Sequence, residues 1–248
     1  MLLLDIETAP NIAHVWGLWQ QNVGINQIQV PGYVMCWAAK WHGGSKIHFA
    51  KVRYENGVPV RQEMLEPIHA LLDQADVVVH YNGRKFDIPT LNKEFILHEM
   101  APPSPYKQVD LLAVTRREFR WPSNKLDYVC QQLGLGKKVK HAGHDLWNAC
   151  MAGDPIAWRK MAAYNKNDVV ILERLYDRLM PWIRNHPNHA MYAGRPVCTN
   201  CGSTSLQSRG VAHTRGRSYP RFQCTSCSKW VRGTKAIGEL ALVAEDAG

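Results

Sequence analysis

Residues 1–10 read MLLLDIETAP. Three leucines run straight into Asp5-Ile6-Glu7, which reads as a buried β-strand ending in two acids. In a strand, residues two apart project to the same face, so the two carboxylates stand side by side. Each is costly to bury unpaired, and two adjacent ones resist joint ionisation unless a cation lies between them. Hard oxygen donors at this spacing suit Mg²⁺ or Mn²⁺. An isolated Asp-x-Glu is, however, more often a pair of acids emerging into solvent at a strand end. The rest of the chain decides between the two.

Outward from this strand, the first two-thirds of the 248 residues alternates strand-like and helix-like segments. YVMCWAAKW (33–41) and KIHFAKV (46–52) are strands separated by HGGS, a turn short enough to require an antiparallel hairpin. EMLEPIHALLDQ (63–74) has helical apolar spacing, with Pro67 early in it or kinking it. DVVVHYN (76–82) is a buried strand, DIPTLNKEFILHEM (87–100) a helix with Pro89 in its first turn, and YKQVDLL (106–112) a short fifth strand. Helical patterns follow in SNKLDYVCQQLGL, HDLWNACMAG and 154–183, the last being one long helix or two broken near Asn165. A βββαβαβα order with a late helical block describes an α/β fold, a mixed five-stranded sheet flanked by helices.

Composition changes after Ile183. NHPNHAMYAGRP lacks periodicity and carries Pro, Gly and Asn, marking a linker. The expected organisation is a domain over 1–183, a linker over 184–195, a small β domain over 196–236 and a tail over 237–248. Net charge is +9, and no Asp or Glu occurs from Arg178 to Gly238, which points to a polyanionic partner. No apolar run approaches the roughly 18 residues of a membrane span, and the start lacks the basic residues and apolar core of a signal. The expectation is a cytoplasmic protein with no membrane partner.

Of seven cysteines, Cys36, Cys130 and Cys150 sit in apolar or helical contexts and read as small buried hydrophobes. The other four form two CxxC pairs, Cys198/Cys201 and Cys224/Cys227. In a reducing compartment such pairs indicate metal rather than disulfides, and four thiolates suit tetrahedral structural Zn²⁺. The segment resembles zinc ribbons, whose folding depends on the metal because so few residues cannot bury an adequate core. Arg209, Arg215, Arg217, Arg221, Lys229, Arg232 and Lys235 alternate with His213, Tyr219, Phe222 and Trp230. Cations for phosphates beside aromatic faces for bases make a nucleic-acid surface. A ribbon that docks on protein, its arginines solvated, is the alternative.

Two further places bear on the opening acids. In HYNGRKFDIPTL, Asp87 follows a buried strand, either as an N-cap or as a third carboxylate delivered beside the first strand. In YNKNDVVIL, Tyr164 and Asp168 are four apart and share one helical face. DIET, NxxxFD and YxxxD, in that order, resemble the three motifs of DEDD-type 3′–5′ exonucleases of the ribonuclease H-like superfamily. The resemblance spans about residues 1–182 and includes VDLL at Asp110 and KLDYVCQQLGL. The histidine branch of that family needs His five residues before the last Asp. Ala163 stands there instead, and Tyr164 places the chain with the tyrosine branch, DEDDy. The DIETAPN start and the CWAAKW strand are also similar to phage-encoded members.

That resemblance implies two catalytic Mg²⁺ or Mn²⁺ ions held by Asp5, Glu7, Asp87 and Asp168. Asp5 would bridge them, Glu7 and Asp168 would complete the site of the attacking water, and Asp87 would hold the second ion directly or through water. Tyr164 would orient that water or help to deprotonate it; with an ordinary pKa of about 10 it is a poor base at neutral pH. Asn82 would help to place the terminal nucleotide, as would Phe86, which otherwise reads as core. Lys137, Lys138 and Lys140 line either the substrate path or a solvated loop. Trp16 and Trp19 stack on bases or, as the plainer reading, serve the core or a subunit contact.

The resulting expectation is a metal-dependent 3′–5′ exonuclease on single-stranded DNA, with nucleic acid and a replication or repair protein as partners. Its alternatives are an RNA 3′-trimming or structure-selective nuclease on the same site. A third is a zinc-ribbon nucleic-acid-binding protein with a nuclease-fold scaffold, against which the intact acid set argues.

Overall fold

Leu2, Leu3 and Leu4 are completely buried because β1 (Leu2–Thr8) runs through the middle of a five-stranded sheet. The computed structural model describes residues 1–139 and 143–239; Lys140 and most of the expected tail (240–248) lie outside the described residues. After β1, a short antiparallel pair, β2 (Ile12–Ala13) and β3 (Ile28–Val30), closes the loop 14–27. The expected hairpin follows as β4 (Val34–Trp41) and β5 (Ile47–Lys51), then a smaller one, β6 (Arg53–Glu55) and β7 (Val58–Val60). Next come α1 (Gln62–Asp73), β8 (Val77–His80), α2 (Asp87–Leu97), β9 (Lys107–Asp110) and α3 (Leu111–Glu118). Then α4 (Leu126–Gln132), α5 (His144–Met151) and α6 (Pro155–Leu179) complete the helical block.

The sheet order is β5-β4-β1-β8-β9. β4 lies antiparallel to β1 along its whole length, whereas β8 runs parallel to it and pairs only at Leu2–Val78 and Leu3–Val79. β9 extends the parallel half. This is a mixed sheet with flanking helices, as the segment order requires. α1 buries Met64, Leu65, Ile68, Leu71 and Leu72 at helical spacing, and Pro67 lies inside it. α6 is one continuous helix of 25 residues, with no break at Asn165. The asparagine side chain bonds to Asp5 and does not compete for the helix backbone. From Trp158 through Met161, Tyr164, Asp168, Leu172 and Leu175, α6 buries a residue every three or four positions, the stripe of a helix packed on a core. Glu173 ties it to the sheet through Lys40 and the Gly43 amide.

Three side chains for which the sequence allows a place in the core are not buried. Phe86 is 45% exposed at the head of α2, and Trp16 and Trp19 lie exposed on the loop 14–27. Neither position has the periodic apolar neighbours that would carry it inward.

By contacts the chain divides into two units, Met1–Tyr176 and Asp177–Gly248. In the second, β10 (Leu206–His213), β11 (Arg217–Cys224) and β12 (Trp230–Arg232) form an antiparallel sheet, with β13 (Gly238–Glu239) also against β11. The stretch 184–195, read as a linker, holds a one-turn helix, α7 (Ala190–Ala193). It is bonded to the first cysteine knuckle through His189 N–H to the Thr199 carbonyl at 2.9 Å. Asn200, buried between Cys198 and Cys201, donates to the carbonyls of Met180 and Ile183.

The turn from β8 into α2 depends on Gly83. Its N–H donates to Nδ1 of the fully buried His80 at 3.0 Å, and its carbonyl accepts from Ile88. A Cβ at Gly83 would lie 2.4 Å from the His80 ring. Gly83→Ala is therefore expected to cost about 1–3 kcal/mol, as overpacking in cores does, seen as a lower urea midpoint with an unchanged slope. A wild-type midpoint would contradict this account of the turn.

Candidate active site

Asp5 and Glu7 project from the same face of β1, opposite Ala38 and Cys36 of β4, whose small side chains leave room above them. Beyond Leu3 the pairing with β8 ends, so the Ile6 N–H, lying between the two acids, needs another acceptor. Asp87 Oδ1 provides it at 3.1 Å. Asp87 is the first residue of α2, with Phe86 in the capping position, so its side chain reaches across to β1 and does not cap its own helix. From α6, Asp168 brings its carboxylate to the pair on β1. One oxygen each from Asp5, Glu7 and Asp168 lies within 4.8 Å of the others. Asp87 is outside this trio, one oxygen being committed to Ile6, but its charge is felt by both Asp5 and Glu7.

Two residues complete the cluster in ways the sequence did not single out. Asn165, fully buried on α6, donates Nδ2 to Asp5 Oδ2 at 2.7 Å and sets that carboxylate's orientation. It is three residues before Asp168, and the shared helical face was the available signal. Lys138, for which the sequence allows either the substrate path or a solvated loop, has its ammonium inside the acid cluster. It donates to Asp168 Oδ2 at 2.5 Å and to the Tyr164 hydroxyl at 3.1 Å. The loop that carries it is pinned by Lys138 N–H to Asp127 Oδ1 at 2.7 Å, and by Asn167 to the Lys137 carbonyl. The Lys137 side chain is exposed.

The electrostatics are those of acids short of counter-charge. Burial, then repulsion from Glu7, Asp87 and Asp168, holds the Asp5 carboxyl well above the usual range. Burial pushes Glu7 up to about 8 against the pull of Lys138, and Asp87 up to about 7 against its bond from Ile6. Asp168 is raised by burial and partly restored by Lys138. Burial disfavours the Lys138 ammonium, but Asp168 and Tyr164 outweigh it and raise its pKa. Tyr164 is raised by burial and by the nearby acids. One ammonium does not satisfy this many buried carboxyls, and Asp168 Oδ1 is buried with no hydrogen-bond partner among the described residues. The oxygen donor set fits divalent cations.

Beside the cluster is a cavity of about 560 Å³ lined by Asp5, Tyr81, Asn82, Arg116, Lys125 and Lys138. Asn82 enters with a left-handed backbone (φ 69°) held by Asp110, which accepts its N–H at 3.0 Å and also caps α3. Arg116 and Lys125 escaped the sequence reading because only the fold brings them to this cavity.

In the second unit the sulfurs of Cys198, Cys201, Cys224 and Cys227 all lie within 4.8 Å of one another, with Cys198–Cys227 and Cys201–Cys224 both 3.6 Å apart. Metal–sulfur bonds of about 2.3 Å in a tetrahedron imply sulfur separations of about 3.8 Å, so the thiol set fits a tetrahedral ion. Burial opposes the Cys224 thiolate, but N–H groups of Cys227 and Ser226 and the neighbouring thiols bring its pKa down to about 7. On the sheet, Arg221 lies over the Trp230 ring at 4.9 Å and Arg232 over Tyr219 at 4.4 Å. Arg221 and Arg232 are direct cross-strand partners. Arg217 is paired with Glu239 at 2.9 Å, and Arg215 is exposed.

A mixed sheet whose central strand ends in paired acids, answered by an acid from a late helix, defines an α/β fold of the ribonuclease H class. Residues 32–180 match the model of the RNase H superfamily, and the chain belongs to that superfamily. The matched segment contains Asp87, Tyr164 and Asp168 and begins after Asp5 and Glu7. The family B DNA polymerase from the hyperthermophilic archaeon Pyrobaculum calidifontis has a similar structure, with a TM-score of 0.55 and 18% identity. The likeness covers 73% of this chain and 24% of the polymerase, and it is one of fold. No curated protein matches the sequence. No helix among the described residues is long and apolar enough to cross a membrane.

Folding favours the protonated forms of Glu7 and Asp87, whose pKa values rise from 4.5 to about 8 and from 3.8 to about 7. Without divalent metal, their contribution to stability is complete below about pH 4 and is lost as pH rises toward about 8. A divalent cation bound by these acids would take the place of those protons, so Mg²⁺ or Mn²⁺ should raise the thermal midpoint more at pH 8 than at pH 6. Equal shifts at both pH values, or none, would show that these acids do not bind the ion.

Proposed function

We propose that this protein is a metal-dependent 3′–5′ exonuclease of the tyrosine-bearing DEDD type, acting on single-stranded DNA ends. The observation that carries the reading is the convergence of Asp5, Glu7 and Asp168 within 4.8 Å, with Tyr164 one helical turn before Asp168. Asp5, Glu7 and Asp168 would hold one divalent cation and Asp87 would help to hold a second. Two such ions neutralise the charge that develops on the attacking and leaving oxygens of a phosphodiester.

The chain's own groups do the positioning. Asn165 fixes the Asp5 carboxylate, and the Ile6 N–H holds Asp87 toward β1. Tyr164, its pKa raised, keeps its proton at neutral pH and serves to orient water through its hydroxyl. Lys138 favours the ionised form of Asp168 and holds the Tyr164 oxygen. The adjoining cavity takes the terminal nucleotide, with Arg116 and Lys125 as counter-charges and Asn82 on its wall. In the second unit the four cysteines would hold Zn²⁺. The Arg221/Arg232 pair offers two cations to phosphates, and Trp230 and Tyr219 offer faces to bases. Two like charges directly opposite on adjacent strands are unfavourable unless an anion joins them. DNA is taken as the substrate from the polymerase neighbour, whose likeness to this chain is one of fold.

Asp5→Asn and Asp168→Asn should each lower metal-dependent trimming of a 5′-labelled DNA strand on the order of 10³-fold or more. Tyr164→Phe should lower it roughly 10- to 100-fold. Cleavage of circular or 3′-blocked strands would overturn the exonuclease direction, and faster trimming of RNA would reverse the substrate preference. Arg221→Ala with Arg232→Ala should flatten the slope of log affinity against log salt by about 1.4, at about 0.7 per single-strand phosphate contact. An unchanged slope would leave the ribbon as a docking module.

A further inference from the structure

The loop between β2 and β3 carries the most exposed large apolar side chains of the described residues. Trp16 is 98% exposed, Ile25 89%, Leu18 88% and Trp19 86%. Four large apolar side chains held this far into solvent on one loop mark an interaction surface. The loop is a built projection. His14 N–H donates to the Gln27 carbonyl at 3.0 Å, and Gln27 Nε2 returns a bond to the His14 carbonyl at 2.8 Å. Below, Asn11 accepts from Gly32 N–H at 2.6 Å, and Lys93 donates to the Gly32 carbonyl. The neck is clamped while the tip holds its indoles in solvent.

Its chemistry limits what it can receive. No Asp, Glu, Lys or Arg occurs between Glu7 and Lys40, although charged residues make up 21% of the chain. The loop offers aromatic faces with Gln20, Gln21 and Asn22 beside them, and neither attracts nor repels phosphates. Aromatic faces and amides suit unpaired nucleobases, which stack on the one and hydrogen-bond the other. The loop's position points the same way. The Thr8 carbonyl, at its root and next to Glu7, accepts from Trp147 Nε1 at 3.1 Å, and the Trp147 ring lies edge-on to Tyr164 at 6.2 Å. Trp16 lies nine residues beyond Glu7, so at most roughly 30 Å of extended chain separates them. A single strand covers that span with a few nucleotides.

We infer that Trp16 and Trp19 form a stacking platform for unpaired bases of the strand whose 3′ end occupies the carboxylate site. This rests on the nuclease reading and adds to it a reason for single-strand preference, since bases already paired in a duplex have no free faces to offer.

The test compares Trp16→Ala/Trp19→Ala with wild type, both in an Asp168→Asn background, for binding of fluorescein-labelled oligo-dT by anisotropy. Removing two exposed side chains should leave the thermal midpoint unchanged. Affinity should fall at least tenfold, given the usual contribution of one base–aromatic stack, with the salt slope unaltered. The loss should vanish on an abasic oligomer of the same length, and Trp16→Phe/Trp19→Phe should restore most of it. Wild-type affinity in the alanine variant, or an equal loss on the abasic strand, overturns the inference. So does a change of oligomeric state caused by the alanine substitutions, which would make this surface a contact between copies. The outcomes separate the two readings. If the unsubstituted chain trims DNA but the alanine variant binds as well as its parent, only the platform fails. If the unsubstituted chain neither binds nor trims any oligonucleotide, the nuclease reading fails and the platform with it.

Discussion

Carboxyl groups crowded at the open end of β1 set the terms for the rest of the first unit. Acids that repel one another and are cut off from water stay together only if the surrounding backbone is rigid enough to hold them. The buried leucines of β1, paired on one side with β4 and on the other with β8, supply that rigidity. The early end of the β1–β8 pairing is equally part of the device. It frees the Ile6 N–H, and that donor draws Asp87 inward from α2. Asn165 and Lys138 then settle what remains, one by orienting Asp5 and the other by giving Asp168 a counter-charge. The result keeps proton-like demand high in a place where a divalent ion meets it better than a lysine can.

The second unit solves a different problem with the same logic. Too small to build a large apolar core, it gathers four sulfurs within a tetrahedral spacing and uses Asn200 to tie the knuckle to the segment before it. Arg221 and Arg232 lie over aromatic rings, which hold their guanidinium groups in place without neutralising them. Both units thus keep charge of one sign in fixed positions, negative in one and positive in the other. On the function proposed above, the first would meet metal ions and the second phosphates.

Much of this was legible in the chain. The five sheet strands and the helices between them follow from apolar periodicity and turn composition, and the HGGS turn alone required the β4–β5 hairpin. The tyrosine–aspartate spacing on α6 and the two CxxC pairs announced themselves because each ligand set lies close in sequence. Other features left no such trace. Phe86 and the loop tryptophans look like core by residue type, yet nothing in their neighbours' spacing carries them inward. The small hairpins around β2–β3 and β6–β7 are too short to produce a period.

By itself, then, the sequence determined the five sheet strands, the main helices and which acids and thiols are paired, because those depend on spacing within a strand, a helix or a knuckle. Only the tertiary structure decided that Lys138 enters the acid cluster, that Asn165 holds Asp5, and that Asp87 bonds to Ile6 and does not cap its own helix. Each of these is a contact across at least 26 residues of chain. Local propensity carries no information at that separation, and the choice is made by which buried donor or acceptor is left unmatched once the sheet has closed.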